Sequence, residues 1–246
     1  MRLSVCCVVL ALCSGVASSR AAAAEDEDRR VREAATVFSE SMGTPDQEIP
    51  ANILEKAEAI AIFPSVAKGG FIVGGQWGRG VIMVREVKTG LWSAPAFLTL
   101  SGGSFGAQIG GTAIDVILVV MNRRGVEHLL ANEFKIGGEA SAAIGPVGRA
   151  AEASTDVAFR AEILSYSRSR GLFAGIAFSG SVVKQDRDAN LRYYGKALSS
   201  EDIVFARYGQ MPESAKLLQE TLARHVRASP ASGAAGVGPS TSASER

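Results

Sequence analysis

The sequence predicts an α+β fold with a strongly coiled antiparallel β-sheet or barrel-like core, flanked by N-terminal and C-terminal helices. Three observations carry this. Strand-forming residues alternate with glycine through the middle of the chain, apolar residues recur at helical spacing at both ends, and 27 glycines in 246 residues favour one side of the predicted strands. A hydrophobic content of 47% is enough for a buried core.

The first 24 residues, "MRLSVCCVVLALCSGVASSRAAAA", read as a signal peptide: an early arginine, an apolar stretch from Leu3 to Leu12, then small residues ending Ala-x-Ala. That stretch is well short of the roughly twenty residues a membrane-spanning helix needs. The expected location is therefore beyond the plasma membrane: periplasmic, envelope-associated or secreted. Cys6, Cys7 and Cys13 all fall inside the leader, so the mature chain has no disulfide, thiol nucleophile or cysteine metal site. "LALC" leaves lipid attachment at Cys13 open, although the bulky Leu12 argues against it. The chain has 26 basic and 25 acidic residues, and loss of Arg2 and Arg20 with the leader leaves about one net negative charge. This excludes a globally basic nucleic-acid binder.

The elements follow in order within one domain over 25–227. Glu25 to Met42 place Val31, Ala34, Ala35, Phe38 and Met42 on one helical stripe, with Arg29, Arg30 and Arg32 beside it. Such a helix can lie apolar face down in a bilayer interface, or pack that face on its own domain. "IPANILEKAEAIAIFP" reads as a second helix, with Pro50 in its first turn and Pro64 ending it. Strand patterns dominate from Gly69 to about Val183, interrupted by a helix at "RRGVEHLLANE". "SSEDIVF" and "PESAKLLQETLARHV" carry cap-like starts and helical spacing. Residues 228–246 are polar and of low complexity, and the expectation is a disordered tail.

Read with a period of two, "KGGFIVGGQWGRGVIMVR" places Gly70, Gly74, Gln76, Gly78 and Gly80 on one face, with Phe71 and Trp77 on the other. "SGGSFGAQIGGT" repeats the bare face with Gly102, Ser104, Gly106, Gln108 and Gly110. In "GLFAGIAFSGSVV" the apolar side is Leu172, Ile176, Phe178 and Val182. Glycine weakens a strand, so its repetition on one side calls for close backbone approach, by a helix, a second sheet or sharp coiling, or for a ligand. Gln76 and Gln108 need amide partners if buried, and could bond each other.

Catalytic patterns are scarce. No glycine-rich turn ends in Gly-Lys-Ser/Thr, so a phosphate loop is excluded. "GGSFG" formally matches a serine-hydrolase elbow at Ser104, with Asp202 and His225 in hydrolase order, but β-branched and glycine-rich sequence follows where a helix is required. The expectation is no enzyme, no catalytic residue and no cofactor. Two histidines are too few for a histidine metal centre, and "KQDRDAN" lacks a full calcium loop and reads as a solvated turn; no metal site is expected. Asp115, inside "TAIDVILVVMN", reads as a strand carboxylate bonded to backbone or to an arginine.

Taken together, "AIAIFPSVAKGGFIVGGQWGRGVIMVR", "GLWSAPAFLTLSGGSFGAQIGG", "EFKIGGEASAAIGPVGR" and "SYSRSRGLFAGIAFSGSVVKQDRDANLRYYG" closely resemble the SYLF domain, the lipid-binding module also called the yeast-type actin-regulator domain. The likeness runs over 53–195. It implies binding to membrane phospholipid, phosphoinositides among them, through an N-terminal amphipathic segment and basic residues. Carried to this chain, the candidate lipid-binding residues are Arg29, Arg30, Arg32, Val31, Phe38, Lys68, Arg79 and Arg85. The expected partner is an anionic phospholipid membrane, with an envelope protein as the alternative; nucleic acid is not expected, and neither is actin for an exported chain.

Overall fold

The computed structural model describes residues 24–43, 48–86, 88–137, 141–148, 160–169, 172–176, 180–205 and 211–226, and at 70–73 and 104–111 the backbone alone. The expected leader cleavage and the tail lie outside these residues, as do the side chains of Phe71, Ser104 and Gln108. Helix α1 covers 24–41. It is followed by α2 (Ala51–Lys56), β1 (Ala59–Val84), β2 (Ala96–Val120) and α3 (Arg123–Leu130). Next come β3 (Glu133–Lys135), β4 (Ala142–Ile144), β5 (Ile163–Ser169), β6 (Leu172–Gly175) and β7 (Ser181–Gln185). Helices α4 (Arg187–Tyr194), α5 (Ser200–Phe205) and α6 (Glu213–His225) close the described chain.

These seven strands form one sheet in the order β3-β7-β2-β5-β4, with β1 on β2 and β6 on β5. The predicted fold class holds. The antiparallel expectation needs one amendment, because β4 runs parallel to β5 and makes the sheet mixed.

The sheet is organised by the β1–β2 ribbon, paired from Ala59↔Val120 to Ile82↔Ala96. A 26-residue strand laid flat would reach roughly 85 Å, far longer than a domain of this size can use. Instead β1 coils until its ends meet. The Glu58 amide donates to the Val120 carbonyl at 2.8 Å, and the Glu58 carbonyl accepts from the Arg85 amide at 2.7 Å. Coiling this tight brings 62–66 against 78–80 of the same strand, and only glycine leaves room there. A Cβ on Gly78 would stand 2.7 Å from Val66 Cγ2, and one on Gly80 would overlap the Ile62 carbonyl oxygen and the Phe63 ring. At Gly78 and Gly80 the bare face is thus covered by the start of its own strand, not by a helix. Further along, Gly102 sits against Ser181, and Gln76 donates to the Ser181 hydroxyl at 2.6 Å.

Two strand expectations change. "AIAIFP" continues β1 instead of α2: Ala59 to Phe63 are all at most 1% exposed, and a segment buried on both faces has no period that separates strand from helix. Pro64 is tolerated because it lies where the register shifts between Phe63 and Val66, so its missing N–H interrupts no regular pairing. Beside it Ser65 adopts the left-handed conformation at φ 51°, and its amide donates to Asp115 Oδ1 at 2.9 Å. Asp115 also lies 3.6 Å from Arg168, so both of its expected kinds of partner are present. In β6 and β7 the buried side chains are Phe173, Ser181 and Val183, whereas Leu172 is 68% exposed. The buried positions are all odd in β6 and β7 alike, so the face that packs inward is the one opposite Leu172 and Val182.

Candidate functional site

Helix α1 lies across the coil and settles where most of the candidate residues go. Its apolar stripe faces inward: Val31, Ala34 and Phe38 are fully buried, and Phe38 meets the His225 ring of α6 edge-on at 5.9 Å. Of the two roles open to this helix, the structure has it packed on the domain. Fully burying a phenylalanine and a valine contributes on the order of 4 kcal/mol, which opposes lifting the helix away.

An ion network fastens the same helix. Glu27, fully buried, accepts from Arg192 of α4 at 2.6 and 2.9 Å and lies 2.6 Å from Arg30. Arg30, 5% exposed, also pairs with Asp186 at 3.2 Å and stacks over Phe97 at 5.2 Å. Burial lowers the Arg30 pKa, against the opposing pull of Glu27. Burial acts on Arg192 in the same direction, but there the hydrogen bond and charge of Glu27 outweigh it and the pKa is raised. Asp186 meanwhile caps α4, accepting from the Ala189 amide at 3.0 Å, so "KQDRDAN" is a helix start carrying a buried ion pair rather than a solvated turn. Among the described residues no group of three or more His, Cys, Asp or Glu is placed to hold a metal ion. Arg30 is thus held between two carboxylates, Glu27 and Asp186.

The outer edge of α1 has a different character. Between α1 and the bend of β1 lies a hollow of about 160 Å³ lined by Asp26, Arg29, Glu33, Ser65, Trp77 and Arg79 among others. Trp77 is 54% exposed, with the Arg79 guanidinium 5.9 Å from its ring centroid. Arg79 pairs with Asp26 at 3.1 Å, and Arg29 with Asp26 and with Glu33 at 3.6 Å. Arg29 remains largely exposed. The structure thus brings together Arg29, the buried Arg30 and Arg79 from the candidate set and adds an exposed indole that the set omitted. The signal was present in the sequence: Trp77 sits opposite the glycine face, so it points outward wherever the glycines point in.

The other candidates go elsewhere. Arg32 is exposed on α1 and paired with Asp28. Lys68 is half-buried opposite Thr112, and burial lowers its pKa. Arg85 lies where the ends of β1 meet, bonded to the Glu55 carbonyl. The hydrolase pattern has no structural counterpart: residue 104 lies mid-strand opposite Gly74, and β2 continues to Val120 with no helix after the serine. Asp202 is held by the Ser199 hydroxyl and amide at 2.7 and 3.2 Å, while His225 sits on Phe38.

Comparison with known proteins shows what the chain resembles. The family model described as "Las17-binding protein actin regulator", Ysc84, matches residues 101–225. The match begins inside β2 and extends through α6, further toward the C-terminus than the blocks recognised in the sequence. The protein YSC84 of Saccharomyces cerevisiae is 35% identical over 179 residues, covering 71% of this chain and 37% of its own length. Human SH3 domain-containing YSC84-like protein 1 is 33% identical over 177 residues, covering 72% of this chain and 50% of its own. Yeast LAS seventeen-binding protein 3 is 33% identical over 196 residues, 78% of this chain and 42% of its own. The chain spans about half the length, or less, of these curated relatives.

Proposed function

The chain belongs to the Ysc84 (SYLF) family, and from that premise we propose that it is a non-catalytic protein that associates with anionic phospholipid membranes at the cell envelope. The observation carrying this reading is the exposed Trp77 flanked by Arg29 and Arg79 in one hollow. An indole at a membrane interface buries its ring while its N–H stays wet, and neighbouring guanidinium groups meet phosphate. About 100 Å² of Trp77 is free to be buried, contributing roughly 2.5 kcal/mol. Each arginine adds about 1 kcal/mol at an anionic surface, less what Asp26 and Glu33 cancel. The result lies between roughly 2.5 and 4.5 kcal/mol, a millimolar or weaker, salt-sensitive affinity that several copies on one membrane would strengthen. In this reading α1 stays docked, Val31 and Phe38 support the surface from behind, and Arg30 forms part of the hollow's wall.

The test is co-sedimentation with vesicles at low salt. Pelleting should be greater with anionic than with neutral vesicles, fall as salt rises, and drop in Trp77→Ala and Arg79→Gln. Equal, negligible pelleting with both vesicle types overturns the reading. A second reading, a module that binds a protein partner, draws support from Ile144 and Leu172, 59% and 68% exposed on the strands along the outer edge of β5. It predicts a partner whose capture is lost in Leu172→Ser and is indifferent to lipid.

A further inference from the structure

Where the ends of β1 meet, a second and larger cleft opens, with a volume of about 540 Å³. That is within the usual range for small-molecule sites, roughly 300–1,000 Å³. It shares no lining residue with the Trp77 hollow. Val84 of β1, Trp92 and Ala94 of the β1–β2 connection, and Val204 of α5 supply buried apolar lining. At its sides Leu91 is 61% and Phe205 40% exposed, so large apolar groups face water beside an apolar cleft.

The polar groups are few and specific. Arg85 is half-buried and donates to the Glu55 carbonyl, and among the described residues no carboxylate lies within 4.0 Å of it. Burial lowers its pKa, opposed by the more distant charges of Glu58 and Glu55. A guanidinium carries five N–H donors, and the bond to the Glu55 carbonyl uses one of them. Arg123 lies over the Phe205 ring at 4.1 Å and pairs with Glu127 at 3.2 Å. Glu58 and Glu86 also line the cleft, and their charges disfavour a polyanion. An apolar floor, one under-compensated cation and a balance of surrounding charge describe a ligand with one negative charge on an apolar body.

We propose that this cleft binds a single-chain carboxylate amphiphile of the fatty-acid class, its chain against Trp92 and Val204 and its carboxylate on Arg85. The site is independent of the membrane-facing hollow. The chain has two tryptophans, so Trp77→Phe leaves Trp92 as the only indole and its emission reports the cleft. In that background, dodecanoate titrated at about pH 8, where carboxylates are ionised, should give a saturable one-to-one change in emission. Arg85→Gln should weaken dodecanoate at least about tenfold and leave dodecanol unchanged, since only the charge-assisted bond is removed. Arg123 is exposed, so Arg123→Gln folds even if Arg85→Gln does not; it should weaken dodecanoate about threefold with no effect on dodecanol. No saturable response to dodecanoate overturns the proposal. So does equal affinity for dodecanoate, dodecanol and dodecyltrimethylammonium, or dodecanoate binding that neither arginine substitution weakens.

Discussion

Substituting Gly80 by alanine tests the coiling of β1 with a single methyl group. The added Cβ would fall on the Ile62 carbonyl oxygen and 2.7 Å from Phe63 Cγ, where carbon atoms ordinarily rest at about 3.5–4.0 Å. Neither neighbour yields easily: Phe63 is fully buried, and Ile62 is paired with Ile117 in the ribbon. Overpacking of this kind costs about 1–3 kcal/mol, and contact with backbone places it near the top of that range. At about 2–4 °C per kcal/mol for a domain of this size, Tm should fall by roughly 5–10 °C. Gly78→Ala meets Val66 Cγ2 at 2.7 Å and its Cα at 3.3 Å, longer approaches than Gly80→Ala makes to the Ile62 carbonyl oxygen, and should lose less. Gly103→Ala meets nothing within 4 Å and needs no positive φ, so it should be neutral or more stable by about 0.4–1 kcal/mol through the unfolded chain. Urea midpoints at constant m-value provide the ordering. Equal midpoints for Gly80→Ala and Gly103→Ala would refute the reasoning that these glycines exist for self-contact.

Other predictions concern α1 and its surroundings. Glu27→Ala leaves Arg30 with Asp186 alone and strips Arg192 of its buried partner, and should cost about 3–5 kcal/mol; an unchanged urea midpoint would show that the network does not fasten the helix. His225 has its pKa lowered from 6.5, first by burial and then by Arg224. The unfolded chain therefore takes up a proton before the folded one does, so stability falls as pH drops through 6.5 toward the folded value, and the contribution is intact above it. The Tm difference between the parent and His225→Gln should narrow over that interval, and a constant difference from pH 8 to pH 5 contradicts it.

Much of the fold is legible in the sequence because its signals are local. Helices α1, α3, α5 and α6 follow from apolar spacing and start signals, and the outward Trp77 follows from the parity of a glycine-marked strand. What escapes is set by contacts distant in sequence. "AIAIFP" is a strand because the ribbon wraps it on both sides, and the glycine face at Gly78 and Gly80 is closed by Ile62, Phe63 and Val66, well before them in the same strand. The candidate site divides similarly. Arginine is recognisable as a residue type, but whether it faces lipid, a carboxylate or a cleft depends on which elements meet it: Arg30 goes to Glu27 and Asp186, Arg79 to Trp77, and Arg85 to the closure of β1.

The most direct measurement of the membrane reading uses Trp92→Phe, which leaves Trp77 as the sole indole. Trp77 emission should shift to the blue on mixing with anionic vesicles and be quenched by lipids brominated near the headgroup, with the effect reversed by salt. Unchanged Trp77 emission in protein that nevertheless pellets with those vesicles would place the contact on another face and contradict the account.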